Sequence, residues 1–152
     1  MTADHNEFRG YYVRPGGPEG TERILRLALP SDASTVRLAR QVTRDALATW
    51  NLGQLEEAAV LLVSELVTNA VRHARDTGAI GLELASTGTR LRLEIQDGDP
   101  SWRPMDSLAD CDEGGFGFLV VDSLADRWGL RRVCAGKAVW AELDAPAELG
   151  AP

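Results

Sequence analysis

The sequence predicts an α+β fold: a two-layer sandwich in which one mostly antiparallel, mixed sheet is covered on one face by helices. Three observations lead there. Segments that alternate apolar and polar residues come in pairs with short connections, AIGLELAS (79–86) with RLRLEIQD (90–97) and GLRRVCA (129–135) with KAVWAELDA (137–145). Segments of helical periodicity are grouped instead of alternating one for one with strands. The resulting order, β, α, α, β, β, loop, α, β, β, is not a βαβ chain, which disfavours the Rossmann and P-loop folds. No GxxxxGK[ST] run occurs.

Each element has its own grounds. Residues 1–22 hold Pro15, Gly16, Gly17, Pro18 and Gly20 with little apolar periodicity, and read as a flexible tail. RILRLAL (23–29) alternates like a half-buried strand, and Pro30 ends it. Ser31, Asp32 or Ser34 can cap a helix in which Val36, Leu38, Ala39, Val42, Ala46 and Leu47 recur at helical spacing. Asn51 and Gly53 break it. A second helix runs from Gln54 to about Arg75, and Asp76-Thr77-Gly78 makes a turn. The strands 79–86 and 90–97 come next, joined at Thr87-Gly88-Thr89.

Residues 98–115, GDPSWRPMDSLADCDEGG, carry two prolines and many acids without a lasting period, as a functional lid does. GFLVVDSLADRW (117–128) reads as a helix. The last two strands meet at a turn at Gly136, and 145–152 forms a second tail. The organised domain is therefore 23–144, with Trp128 and Trp140 expected in its core.

Composition narrows the class. The chain has 152 residues, 44% of them hydrophobic, which suits one globular domain. Its net charge of -7 disfavours direct nucleic-acid binding, which needs basic patches against phosphates. No apolar run approaches a membrane span, and the N-terminus lacks a signal pattern, so a cytoplasmic protein is expected. Cys111 and Cys134 have no metal-ligand spacing and read as free thiols.

The chemistry starts in ELVTNAVRHA (65–74). With Glu65 at zero on a wheel of about 100° per residue, Asn69 falls near about 40° and Arg72 near about -20°. His73 lies beside them, while Val63, Val67, Ala70 and Val71 take the opposite side. Alone, such a stripe fits a solvated helix face. It also fits a magnesium-nucleotide site. The Asn69 carboxamide is a neutral hard oxygen donor for Mg²⁺, an ion that often takes only one or two protein ligands. Glu65 can take a proton from an attacking hydroxyl, and Arg72 can meet phosphate charge. His73 reads as a packing neighbour.

Two further pieces lie downstream. Asp97, ending a strand before Gly98, can accept from an adenine amino group and would repel the guanine carbonyl; Asp-Gly is also an ordinary turn pair. GGFGF (114–118) opens a helix, where glycines and helix-start amides favour an anion; it also fits a hinge. The three signals together, each at an element boundary, carry more weight than any one.

This constellation resembles the GHKL superfamily of ATP-binding proteins, which includes gyrase and the histidine kinases. ELVTNAVRHA is similar to its N box, Asp97-Gly98 to the start of its G1 box and GGFGF to its G2 box, over roughly residues 23–144. Within it, the short length and ELVTNAV…GGFGFLVVDSLADRW resemble bacterial anti-sigma factor serine/threonine kinases. The resemblance implies a Bergerat-type fold, with ATP and Mg²⁺ as cofactors. It makes Glu65 the general base, Asn69 the Mg²⁺ ligand and Asp97 the adenine acceptor. Arg72, Gly98, Gly115, Phe116, Gly117 and Phe118 complete the ATP site, under a lid at 98–115. The implied partners are a sigma factor, which is sequestered, and an anti-sigma-factor antagonist, which is phosphorylated. A homodimer is also implied.

The chain departs from the family pattern at three places. Asp99 and Pro100 come after Gly98 where a second G1 glycine is usual. GKAVW puts Ala138 near a position often held by Thr, with Lys137 beside it. Asp110, Asp112 and Glu113 precede the phosphate turn. Trp102 in the lid can shield nucleotide, meet a partner or anchor the loop. The departures leave a second reading, a catalytically inactive partner-binding adaptor of the same fold. A detached histidine-kinase catalytic domain is a third, but neither His5 nor His73 suits a phosphoacceptor.

Overall fold

Alternation in the strand segments builds the sheet and decides its faces. The computed structural model describes residues 11–14, 22–73, 79–97, 115–133 and 136–146. Six strands, β1 (Tyr11–Arg14), β2 (Arg23–Pro30), β3 (Ala79–Ser86), β4 (Arg90–Asp97), β5 (Arg127–Val133) and β6 (Gly136–Asp144), pair in the order β1-β2-β3-β4-β6-β5. All of these pairings are antiparallel, so among the described residues no parallel pair gives the sheet the mixed character expected of it.

Leu25, Leu27 and Leu29 of β2, Ile80, Leu82 and Leu84 of β3, and Leu91, Leu93 and Ile95 of β4 are buried toward the helices. Their odd-even partners lie on the other face, because successive strand side chains point to opposite sides. Three helices, α1 (Ser34–Thr49), α2 (Glu56–His73) and α3 (Gly115–Leu124), form the second layer, with a short 3₁₀ turn at Gly53–Leu55 before α2. Leu47 of α1, Leu62, Val63 and Val67 of α2 and Val121 of α3 meet the strand leucines in one core. Burying each such side chain contributes about 1.5–3 kcal/mol.

Helix ends obey local chemistry. The cap position of α1 is Ala33 and carries no side-chain cap bond, unlike the Ser31, Asp32 or Ser34 expected there. Asp32 nonetheless accepts the Ser34 N–H at 2.8 Å, so a side chain one residue earlier satisfies a first-turn amide. At the other end Asn51 takes φ 57°, a left-handed conformation asparagine tolerates, and the Leu52 N–H reaches back to Leu47 O at 2.8 Å. In the β3–β4 hairpin Gly88 has φ 93°, which only glycine adopts without strain, and its N–H donates to Ser86 Oγ at 3.0 Å.

Four further expectations need correction. Residues 11–14, inside the stretch read as tail, add a strand to β2, with Tyr11 opposite Leu27 and Val13 opposite Leu25. The third helix starts at Gly115 and stops at Leu124, whereas the sequence predicts 117–128. The sheet captures the residues beyond Leu124: the Asp126 N–H donates to Glu142 O at 2.9 Å, and the Asp126 carboxylate accepts the Asp144 N–H at 2.7 Å. Gly136 is not in the turn but pairs with Val133 as the first residue of β6.

The fourth concerns Trp140, which lies on the helix-free face and not in the main core, with the Arg92 guanidinium 4.4 Å from its ring centre. Trp128 does pack against the core, and its Nε1–H donates to Asp122 Oδ1 at 2.9 Å. The 98–114 part of the lid, Trp102, Cys111, Cys134 and the turn at 76–78 lie outside the described residues.

Candidate functional site

Helix α2 faces three environments, and its sequence sorts residues among them. Ala59, Leu62, Val63, Leu66, Val67 and Ala70 are buried. Ser64 turns toward α1, where its hydroxyl accepts from Arg40 Nε at 2.5 Å and donates to Val60 O at 2.7 Å. Glu65 and Asn69 remain half-exposed on the side between core and solvent, and Arg72 is exposed. Among the described residues Glu65 and Asn69 make no side-chain hydrogen bond or ion pair.

Asp97 closes β4 on the same face of the sheet as Leu91, Leu93 and Ile95, so it points into the helical layer. Its side chain is among the buried polar groups at 5% exposure. An ordinary turn carboxylate would be solvated, whereas this one is buried.

Topology brings α2 and Asp97 together. Gly81 pairs with Gln96, so the start of β3 and the end of β4 share one end of the sheet. α2 ends at His73 and β3 begins at Ala79, with Asn69 and Arg72 in the last turns of the helix. α2 packs on β4 and on α3. α3 leads into β5 where Arg127 pairs with Glu142, away from Asp97, so its glycine-bearing start, Gly115 to Gly117, is the end remote from that junction.

The strand register also resolves the late-glycine position. Ala138 is opposite Gln96 and Arg131 on the helix-free face and fully buried. The residue opposite Asp97 is Lys137. Ala138 therefore lies on the opposite side of the sheet from Asp97.

Gly98, residues 99–114 and the side chains of His73, Phe116 and Phe118 lie outside the described residues. A cavity of about 310 Å³ lined by Leu25, Leu27, Val42 and Trp50 lies between β2 and α1 and includes none of the predicted site residues. Among the described residues no cluster of three or more His, Cys, Asp or Glu gathers as a metal cage. The donor available to a cation on α2 is the Asn69 carboxamide, with the Glu65 carboxylate one turn earlier. That set fits Mg²⁺ carried in with phosphates, since the ion needs few protein ligands. No helix is long and apolar enough to cross a membrane, among the described residues.

A polar network on the opposite face escapes motif reading. Glu94, with 3% side-chain exposure, is bonded by Arg92, Arg131 and Gln96. Glu142 is bonded by Arg92 and Arg127. Burial alone would raise the Glu94 carboxyl, but the bonds from Arg131 and Gln96 and the nearby guanidinium charge bring it below the usual glutamate range. Glu142 is likewise raised by burial and lowered further by Arg127 and Arg92. The alternation in RLRLEIQD and RWGLRRV was the signal for this face, without indicating which charges meet.

Compared with known families, the model of the histidine kinase-like ATPase domain matches residues 29–143 of the chain. No curated protein matches it.

Proposed function

Because the chain belongs to the histidine kinase-like ATPase domain family, an ATP-binding family, we propose that it is a Mg²⁺-dependent protein serine/threonine kinase that also acts as an anti-sigma factor. One observation carries this reading: Glu65 and Asn69 are half-exposed and, among the described residues, make no side-chain bond, on a helix that packs on the strand ending in buried Asp97.

In this reading Asp97 accepts a hydrogen bond from the adenine amino group and disfavours guanine through its carbonyl. The first turn of α3 offers backbone N–H groups to the phosphates, and Gly115 and Gly117 allow close approach. Arg72 adds a guanidinium beside the phosphate charge. Asn69 would hold Mg²⁺, which when bound offsets phosphate charge and polarises the transferred group. Glu65 accepts the proton of the attacking serine or threonine hydroxyl. The substrate is an antagonist protein, the second partner is a sigma factor held inactive, and the working unit is a homodimer.

The test is transfer of labelled γ-phosphate from Mg-ATP to an antagonist encoded beside this gene. ATP binding with transfer supports the reading. Failure of the folded protein to bind ATP at millimolar concentration sinks it.

A second reading, a partner-binding adaptor without catalysis, draws support from Asp99 and Pro100, which follow Gly98 where the family pattern has a second glycine. Under it, Glu65→Ala leaves partner binding and signalling intact. Loss of signalling with fold and partner binding preserved excludes it.

A further inference from the structure

We propose that the helix-free face of the sheet is a docking surface for an acidic, helical protein segment. This inference stands on the sheet and is independent of the kinase reading.

The face is layered by charge. Glu94 and Glu142 lie low, with side-chain exposures of 3% and 13%. Above them stand guanidinium groups: Arg131 and Arg90 at 48%, Arg127 at 39% and Arg92 at 31%. Asp144, at 45%, is the exposed acid among them and is tied to Arg90 and Arg127. A partner approaching this side meets arginine first.

Those arginines are held in place with donors to spare. Arg131 uses Nε and Nη2 on Glu94, and Arg127 uses Nε on Glu142 and Nη2 on Asp144. Nη1 of each makes no bond among the described residues, nor does Nη2 of Arg90. Arg92 is fixed a third way, over the Trp140 ring. Side chains ordered in advance lose little entropy on binding, and guanidinium edges match carboxylates.

Three features select the occupant. Four guanidinium groups stand with three carboxylates here, so this face is positive by one charge on a chain that carries -7. The same net charge opposes a long polyanion such as nucleic acid, which must neutralise many phosphates at once. Arg90 and Arg92 stand two residues apart on β4, a spacing of about 7 Å. Carboxylates one helical turn apart, at about 6 Å, match it. Strand addition at the β5 edge is disfavoured by Arg127 and Arg131, since edge charge blocks pairing. The partner therefore lies across the face.

The probe is a fluorescein-labelled helical peptide with glutamate pairs at i and i+4, titrated against the full chain at low salt and followed by anisotropy. Binding is expected to weaken at least tenfold in R127Q/R131Q, to weaken with added salt and to be unchanged in Glu65→Gln. Amide shifts in the wild-type protein should map to β4, β5 and β6, which keeps the test valid if the double variant folds poorly. Shifts confined to the helices, or unchanged affinity in a folded double variant, overturn the proposal. So does concentration-dependent self-association or binding to anionic phosphatidylserine vesicles lost in R127Q/R131Q without peptide binding, because the face would then serve a second copy or a lipid surface.

Discussion

Arg131 donates from Nε to Glu94 Oε2 at 3.3 Å and bonds Oε1 through Nη2, holding a nearly buried carboxylate on the side of the sheet that no helix covers among the described residues. Glu83 lies directly across the strand pair from Glu94, a like-charge pairing that would be unfavourable without these cations. Arg26 answers Glu83 at 2.5 Å.

Removing the guanidinium by Arg131→Ala should cost about 1–2 kcal/mol at neutral pH, because Glu94 keeps Arg92 and Gln96. The Glu94 pKa is lowered in the folded state, so its stabilisation is present above the unfolded glutamate pKa and lost as pH falls through the folded value. The difference between wild type and variant should therefore narrow below about pH 4.3. Urea denaturation at pH 7 and pH 3 measures both gaps; equal gaps would show that the pair is not coupled to protonation.

Glu65→Gln preserves size and polarity but cannot accept a proton. It should leave Mg-ATP affinity within a few-fold and reduce phosphotransfer by about 10²–10⁴-fold. Isothermal titration and a labelled-phosphate assay separate the two effects. Asn69→Ala should do the opposite first, weakening nucleotide binding in Mg²⁺ more than in EDTA.

Asp97→Asn changes an acceptor into a group that both accepts and donates. A donated N–H can meet the guanine carbonyl that the carboxylate repels. The ratio of GTP to ATP affinity should rise at least tenfold, read by competition with a fluorescent nucleotide. An unchanged ratio with both nucleotides still bound would remove Asp97 from base recognition.

Gly129 faces Trp140 across β5 and β6, and a Cβ there would come within 2.9 Å of the indole. Gly129→Ala should destabilise the fold by about 1–3 kcal/mol through overpacking. Pairing it with Trp140→Leu should recover much of the loss, visible as a raised thermal midpoint in the double variant.

Legibility varied with the range of the interaction. β3 and β4 match their predicted spans, because strict alternation over eight residues with a glycine turn between them is a local signal. The end of α3 did not: Ala125–Trp128 continue a helical pattern, but β6 offers hydrogen bonds that outcompete it. β1 was unreadable for the same reason, since four residues among glycines and prolines become a strand only when β2 supplies an edge. At the candidate site the spacing of Glu65 and Asn69 could be read directly. Their lack of partners among the described residues and the burial of Asp97 could not.

By itself the sequence determined the two-layer α+β plan, the polar stripe on α2 and the acid at the end of β4, since periodicity and turn chemistry act within one element. Only the tertiary structure decided which face of the sheet each charge occupies. Asp97 is turned under the helices and Glu94 to the open side. Ala138 falls opposite Gln96 and Lys137 opposite Asp97. The physical reason is register: strand side chains alternate with period two, so pairing between distant segments determines which residues meet.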